Sequence, residues 1–277
     1  MSSRSNNKEE KRCSLDNVFP GLYFCLVVLL RKSFKKMRKN IIITGQPRVG
    51  KSTLLKKIIQ TISNRRGFVT NELTMGGNRI GFEIEMKKGD KALLAHKSDA
   101  SSNLRVSNYN VSIDELDMFS VELMNKWGSD DILYIDEIGQ MQLFSVKFQK
   151  LVLNYLDSPQ TTIMTLTNVF SSDFTEQIRK RNDIILVELY ETNRSEKESY
   201  IKDLLRKIEK AKHYIFHPEL WLKLHNEGWM LTGEHSQRLV KLDGEYKGCD
   251  CEFYEHHKIC SHFMAAEELF GEKLSVT

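Results

Sequence analysis

Gly45-Gln46-Pro47-Arg48-Val49-Gly50-Lys51-Ser52-Thr53 sets two glycines around a four-residue turn and follows them with a lysine and two hydroxyls. Backbone N–H groups in such a turn point inward and cradle a phosphate. Lys51 is placed to reach the β- and γ-phosphates, and the Ser52 hydroxyl to ligate Mg²⁺. A second group, Asp136-Glu137, ends the apolar run Ile132-Leu133-Tyr134-Ile135. A phosphate loop needs a metal partner from another strand, and Asp136 can hold Mg²⁺ together with Ser52. Glu137, one residue on, suits a general base that orients and deprotonates a water beside the γ-phosphate. A third group is Cys249-Asp250-Cys251, eight residues, then Cys260-Ser261-His262. Three thiolates and one imidazole make a closed tetrahedral Zn²⁺ shell, with no open position for a catalytic water. His256 and His257 lie in the spacer as rival ligands, although the closeness of Cys260 favours His262. Thr167 and Asn168 end a later apolar run, either as a polar γ-phosphate sensor or as a capped strand end. Arg48, Arg79, Arg179 and Arg181 are the candidates for neutralising charge in the transition state.

These side chains need a framework. Ile41-Ile42-Ile43 suffices for a strand buried on both faces, and Leu54, Leu55, Ile58, Ile59 and Ile62 share one helical face. The loop therefore feeds a helix N-terminus, whose dipole and free N–H groups favour an anion. Residues 67–95 read as strands, with Phe82, Ile84 and Met86 alternating with Glu83 and Glu85 between turns at Gly76-Gly77-Asn78 and Lys88-Gly89-Asp90. Ser112-Ile113-Asp114-Glu115 has the form of a capping box, and Leu116, Phe119, Leu123, Met124 and Trp127 follow at helical spacing. Phe144, Phe148, Leu151 and Tyr155 mark another helix, stopped at Ser158-Pro159. Strands are expected at 162–167 and 184–189, with a short helix from Asp173 between them. A helix capped by Ser195 to Glu198 then carries Ile201, Leu204, Leu205 and Ile208 and ends near Lys212. Strands alternating with helices predict an α/β fold with a mostly parallel sheet covered on both faces.

Beyond Pro218, Trp229 to Leu242 alternates like a hairpin, and Phe263, Met264, Ala266, Leu269 and Phe270 give a final helix one apolar face. A ββα unit of this size buries little core, so metal would supply the missing folding energy. The chain thus divides into an extension at 1–36, an α/β domain at 37–212 and a metal-held module at 213–277.

Charge is unevenly spread. Residues 1–40 hold ten Lys/Arg against three Asp/Glu, whereas the remainder holds thirty-one against thirty-four. The near-neutral body gives no strong electrostatic case for nucleic acid. Val18 to Leu30 is apolar but interrupted by Pro20-Gly21, and its thirteen residues fall short of a bilayer span. Its basic cluster follows the apolar run instead of preceding it, unlike a signal peptide. Residues 1–36 therefore read as an extension outside the fold, with Met37 as a natural start, or as an interfacial anchor. Five cysteines, an odd number, without a secretory signal argue for a reducing compartment, hence the cytoplasm, and for metal ligation.

Several stretches together carry a family resemblance: Gly45 to Thr53; Arg66-Gly67-Phe68-Val69-Thr70 with Glu72; Gly76-Gly77-Asn78-Arg79-Ile80-Gly81-Phe82; Ile135 to Met141; and Asn193-Arg194. In order and spacing, Asn40 to about Ser195 resembles the THEP-type nucleoside-triphosphatases. The resemblance implies a P-loop fold of the additional-strand type. It also implies Mg²⁺-dependent hydrolysis of ATP, GTP and other nucleoside triphosphates with little regard for the base, and places Asn193-Arg194 near base or ribose. Gln140 stands where the family more often has Lys, and Leu166-Thr167-Asn168 where a His or basic residue is usual. The C-x-C…C-x-H pattern resembles the SWIM-type zinc finger, which implies a protein or nucleic-acid partner. Two other functions use the same loop. One is a nucleotide or nucleoside kinase; the other is a nucleotide-switched binding factor, for which Lys241, Lys247 and Lys258 near the finger are the support.

Overall fold

The computed structural model describes residues 37–87, 89–98, 102–125, 127–224, 228–233, 236–243 and 247–271. The expectations for residues 1–36 lie outside these. β1 (Asn40–Gly45) is buried along its whole length, as three consecutive isoleucines require. It pairs in parallel with β8 (Thr162–Thr167) on one side and with β9 (Ile184–Leu189) on the other. β8 pairs in parallel with β7 (Ile132–Ile138), and β7 with β2 (Arg65–Met75). One strand, β8, thus stands between the strand that feeds the phosphate loop and the strand that ends in the two carboxylates.

Past β2 the same sheet continues antiparallel through β3 (Asn78–Met86), β4 (Lys91–His96), β6 (Tyr109–Val111) and β5 (Arg105–Val106). The nine-stranded sheet is therefore mixed, and parallel only across β2-β7-β8-β1-β9. Tight turns at Gly76-Gly77 and Gly89 explain the difference, since a parallel neighbour needs a crossover that a few residues cannot make.

Helices α1 (Lys51–Gln60) and α5 (Arg194–Phe216) pack on one face of the sheet, α2 (Asp114–Asn125) and α3 (Val146–Asp157) on the other. Alternation in β1 divides the load: Ile41 and Ile43 join the first core, Ile42 the second. Several boundaries differ from those read in the sequence. Glu115 accepts from the Leu93 N–H of β4 at 2.8 Å, fastening α2 to the sheet. Phe144 sits in a 3₁₀ turn, and α3 starts behind Ser145, whose hydroxyl accepts from the Phe148 N–H at 2.9 Å. The short helix α4 (Asp173–Arg179) has a Ser172 cap. α5 begins at Arg194 and continues past Lys212, because Ala211, Tyr214 and Ile215 extend its buried face.

The C-terminal part is larger than a ββα unit. β10 (Trp221–Leu224), β11 (Gly228–Thr232), β12 (Gln237–Lys241) and β13 (Gly248–Cys249) form an antiparallel sheet, followed by α6 (Glu252–His257) and α7 (Ser261–Phe270). Trp229 stacks on Phe270 with ring centroids 3.5 Å apart, and Trp221 meets the same ring edge-on at 5.6 Å. Ile208, Ala211 and Ile215 of α5 belong to one core with Phe263, Met264 and Ala266 of α7. Residue 212 lies inside α5, and packing is continuous across it.

Candidate functional site

Two glycines shape the phosphate loop. Gly45 has φ 148° and lies so close to the Leu189 carbonyl that a Cβ would strike it; Gly50 has φ 101° and serves as the N-cap of α1. Gln46, Pro47 and Arg48 crest the loop in solvent, while Val49 is buried beneath it. The Val49 carbonyl accepts from the Arg194 Nε at 2.7 Å, so the first residue of α5 braces the loop from behind. Lys51 is buried and its ammonium donates to the carbonyls of Gly45 (3.0 Å) and Gln46 (3.3 Å).

Asp136, at the end of β7, is fully buried. Its Oδ1 accepts from the Ser52 hydroxyl at 2.8 Å and the Thr165 hydroxyl at 2.7 Å. Its Oδ2 is buried with no partner among the described residues. Thr70 donates to the Asp136 backbone carbonyl. Burial pushes the Asp136 carboxyl above the usual range, against the pull of the two hydroxyls. Burial also raises Glu137, while the Lys51 ammonium works in the opposite direction.

A cavity of about 520 Å³ opens over these groups, lined by Gly50, Lys51, Ser52, Thr53, Glu137 and Thr167 among others. Asn168 is exposed beyond the strand end. Of the four arginines, Arg179 donates to the Thr167 carbonyl at 2.7 Å, and Arg181 is held by Asp183 and Asp157. Arg48 and Arg79 line the cavity. Arg79 is fixed by three contacts: its Nε donates to the Tyr109 hydroxyl at 3.1 Å, Glu72 pairs with it, and its guanidinium lies 5.0 Å over Phe82. Asn193 does not line the cavity; its Oδ1 accepts from the Tyr190 N–H at 2.8 Å and closes its own turn.

The cysteine and histidine set converges at the other end of α5. Ligand atoms of Cys249, Cys251, Cys260 and His262 all lie within 4.8 Å of one another. Cys249 ends β13, Cys251 and Cys260 are the N-caps of α6 and α7, and the Cys260 sulfur accepts from the Phe263 N–H at 3.3 Å. Hydrogen bonds from the neighbouring thiols, Cys249 first, hold Cys251 well below the ordinary thiol range. Tyr214 of α5 stacks on His262, with centroids 5.5 Å apart and planes 27° from parallel. The spacer folds into α6, which turns His257 onto the rings of Phe253 (4.5 Å) and Tyr200 (4.7 Å); neither His256 nor His257 joins the thiol cluster.

The sequence does not single out Thr165 or Tyr214, nor the contact by which Arg194 braces the loop. Thr165 left a faint signal, a hydroxyl in the middle of a strand buried throughout. Nothing local distinguishes Tyr214 from an ordinary core aromatic. Among the described residues, no helix is long and apolar enough to cross a membrane.

Comparison with known proteins bears on the same region. A family model described as NTPase matches residues 40–202. The nucleoside-triphosphatase THEP1 of Thermotoga sp. (strain RQ2) is 39% identical over 169 residues, covering 60% of this chain and 95% of that protein. A mouse protein, the cancer-related nucleoside-triphosphatase homolog, is 28% identical over 192 residues, covering 64% of this chain and all of the relative. The crystal structure of THEP1 from Aquifex aeolicus superposes with a TM-score of 0.55 at 31% identity, covering 60% of this chain and 98% of that one. The thiol cluster lies beyond the matched family region.

Proposed function

This chain belongs to the NTPase family of nucleoside-triphosphate phosphohydrolases, and we propose that it works with Mg²⁺, releasing orthophosphate from ATP, GTP and other nucleoside triphosphates. One observation carries the reading: Asp136 Oδ2 is buried without a partner while Oδ1 meets Ser52, beneath a cavity lined by Lys51 and Glu137. Two hard oxygen donors at the foot of a phosphate loop fit a hydrated Mg²⁺. Ser52 and Asp136 would hold it, and its charge would offset that of the β- and γ-phosphate oxygens. The loop from Gly45 to Thr53 surrounds the phosphates with N–H groups, and the Lys51 ammonium moves from the loop carbonyls to them. Glu137 orients the attacking water and accepts its proton. Its raised pKa brings the carboxylate closer in basicity to the operating pH, which helps proton transfer. Arg79 supplies the remaining positive charge.

The second part of the proposal concerns the C-terminal sheet with α6 and α7, packed on α5 and held by one structural Zn²⁺ on Cys249, Cys251, Cys260 and His262. Three sulfurs and one nitrogen within 4.8 Å of one another suit a closed zinc shell. Reduced thiols in that role favour the cytoplasm.

Glu137→Gln tests the enzymatic reading. The variant keeps its acceptor oxygen but loses the base, so kcat for orthophosphate release should fall roughly 10²-fold with nucleotide affinity retained. In heavy-oxygen water the parent enzyme should place one solvent oxygen in each phosphate released. Unchanged turnover in the variant removes Glu137 from the mechanism, and phosphate appearing instead on an added acceptor makes the protein a kinase.

A further inference from the structure

Between the later turns of α5 and the short helix α6 lies a cavity of about 900 Å³ that the nucleotide chemistry does not use. Its α5 wall carries Lys207, Lys210 and His213, and His217 caps the helix just beyond them. Steps of three residues keep Lys207, Lys210 and His213 on one stripe of the helix. At 1.5 Å per residue the stripe is about 9 Å long. Phe253, His256 and His257 of α6 form the facing wall, and Arg238 of β12 also lines the space. Counting His262, five of the eight histidines in the sequence border this one cavity.

The charges here are unusual for the helix that bears them. Arg194, Lys197, Lys202, Arg206 and Lys212 of α5 each pair with a nearby carboxylate: Glu191, Glu196, Glu198, Asp203 and Glu209 respectively. Among the described residues, Lys207 and Lys210 have no such partner. Lys207 Nζ instead stands 4.7 Å over the Phe253 ring, and Lys210 Nζ 5.6 Å over Tyr214. Two carboxylates border the cavity, Glu219 and Glu252, and Glu219 is engaged by His217 Nδ1 at 2.8 Å. Ammonium groups without counter-ions and imidazoles both bind phosphate oxygens. A single phosphate would use only one turn of such a stripe, whereas a chain of phosphates can follow it from Lys207 to His213. The exposed His256 ring of α6 adds a face on which a flat base can rest.

We propose that this cleft binds a linear chain of phosphate groups laid along α5, either the backbone of a single nucleic-acid strand or condensed polyphosphate. The site is separate from the phosphate loop and does not rest on the enzymatic reading. It borders the thiol cluster, since Cys251 and His262 line it as well, and it needs the folded state of α6.

The test is fluorescence anisotropy on the full-length protein, with ADP and Mg²⁺ present to occupy the phosphate loop. The probes are a labelled single strand of about twelve nucleotides and inorganic polyphosphate of similar phosphate number, used directly and in competition. Binding should weaken steeply with salt, and Lys207→Glu with Lys210→Glu should lower affinity roughly tenfold or more. Lys147→Glu with Lys150→Glu, on α3, should leave it unchanged. Zinc content and melting temperature verify that both double variants are folded. Preference for the strand at matched length means that a base rests on the His256 ring; equal binding means that the backbone alone is recognised. Preference for polyphosphate assigns the cleft to condensed phosphate. The proposal is overturned if neither probe binds, if the α5 variant binds like the parent, or if the α3 variant loses as much.

Discussion

Thr165→Val isolates one hydroxyl beneath the metal site. Thr165 is fully buried and donates to Asp136 Oδ1 at 2.7 Å. Valine keeps the branched shape and removes the donor. A hydrogen bond to a charged acceptor contributes about 1.5–3 kcal/mol. At about 2 kcal/mol, and with 2–4 °C per kcal/mol for a domain of this size, the melting temperature should fall roughly 4–8 °C. The sign with pH follows from Asp136. Burial raises its folded pKa above the unfolded value, so the stability linked to its proton is complete below the unfolded carboxyl pKa. That stability is lost as pH rises through the folded value. The Thr165 hydroxyl opposes this rise, so deleting it costs most where Asp136 is ionised and less once acid has protonated it. The Thr165→Val deficit should therefore shrink as pH is lowered through the Asp136 transition. Freed on one side, the carboxylate also holds the metal less well, and half-saturation by Mg²⁺ should rise roughly threefold to tenfold. Thr165→Ser restores the donor and loses only a methyl, about 0.8 kcal/mol. Calorimetry across pH and a Mg²⁺ titration of turnover measure both effects. Wild-type melting and half-saturation in the valine variant, or a serine variant as damaged as the valine one, would refute the assignment.

Arg79→Lys keeps a charge but loses the planar group that Tyr109 and Glu72 hold, so kcat should drop at least roughly tenfold with little change in KM. Steady-state kinetics decide it, and a wild-type kcat would return Arg79 to the surface. Stripping zinc with a strong chelator should lower the melting temperature of the whole chain in a single transition, because α5 and α7 share one core. Two well-separated transitions would show that the parts fold independently. Cys260→Ser should lose zinc, whereas His257→Ala should keep it, as metal analysis of purified protein will report.

Much of this arrangement was legible before any coordinates. Three isoleucines, two glycines and an amphipathic run specify strand, loop and helix locally, each through its own periodicity or backbone demand. The meeting of Asp136 with Ser52 was also readable, because an apolar strand ending in a carboxylate has one place to go once a phosphate loop exists. What escaped depends on long-range pairing. Thr165 acquires its role only because β8 inserts between β1 and β7. Arg194 contacts Val49 across 145 positions, which no local window contains. The extent of the C-terminal sheet was missed because the four residues from Trp221 to Leu224 are too few to show a period of their own, and only pairing with residues 228–231 makes them a strand. The length of α5 was missed for a related reason: past Lys212 its buried face is completed by α7, from the far end of the chain.

The shared core between α5 and α7 bears on how long the protein lasts in a cell. Helices that close over each other hide Ile208, Ala211 and Ile215 from water. With the thiols unligated, α7 has less to hold it there, and the face it covers is apolar. Exposed apolar helix is what quality-control proteases and chaperones recognise, and a small change in the open population alters abundance several-fold. If the thiols hold the proposed zinc, metal supply would govern the number of enzyme molecules as well as their shape, and zinc starvation would register as faster turnover of the whole polypeptide.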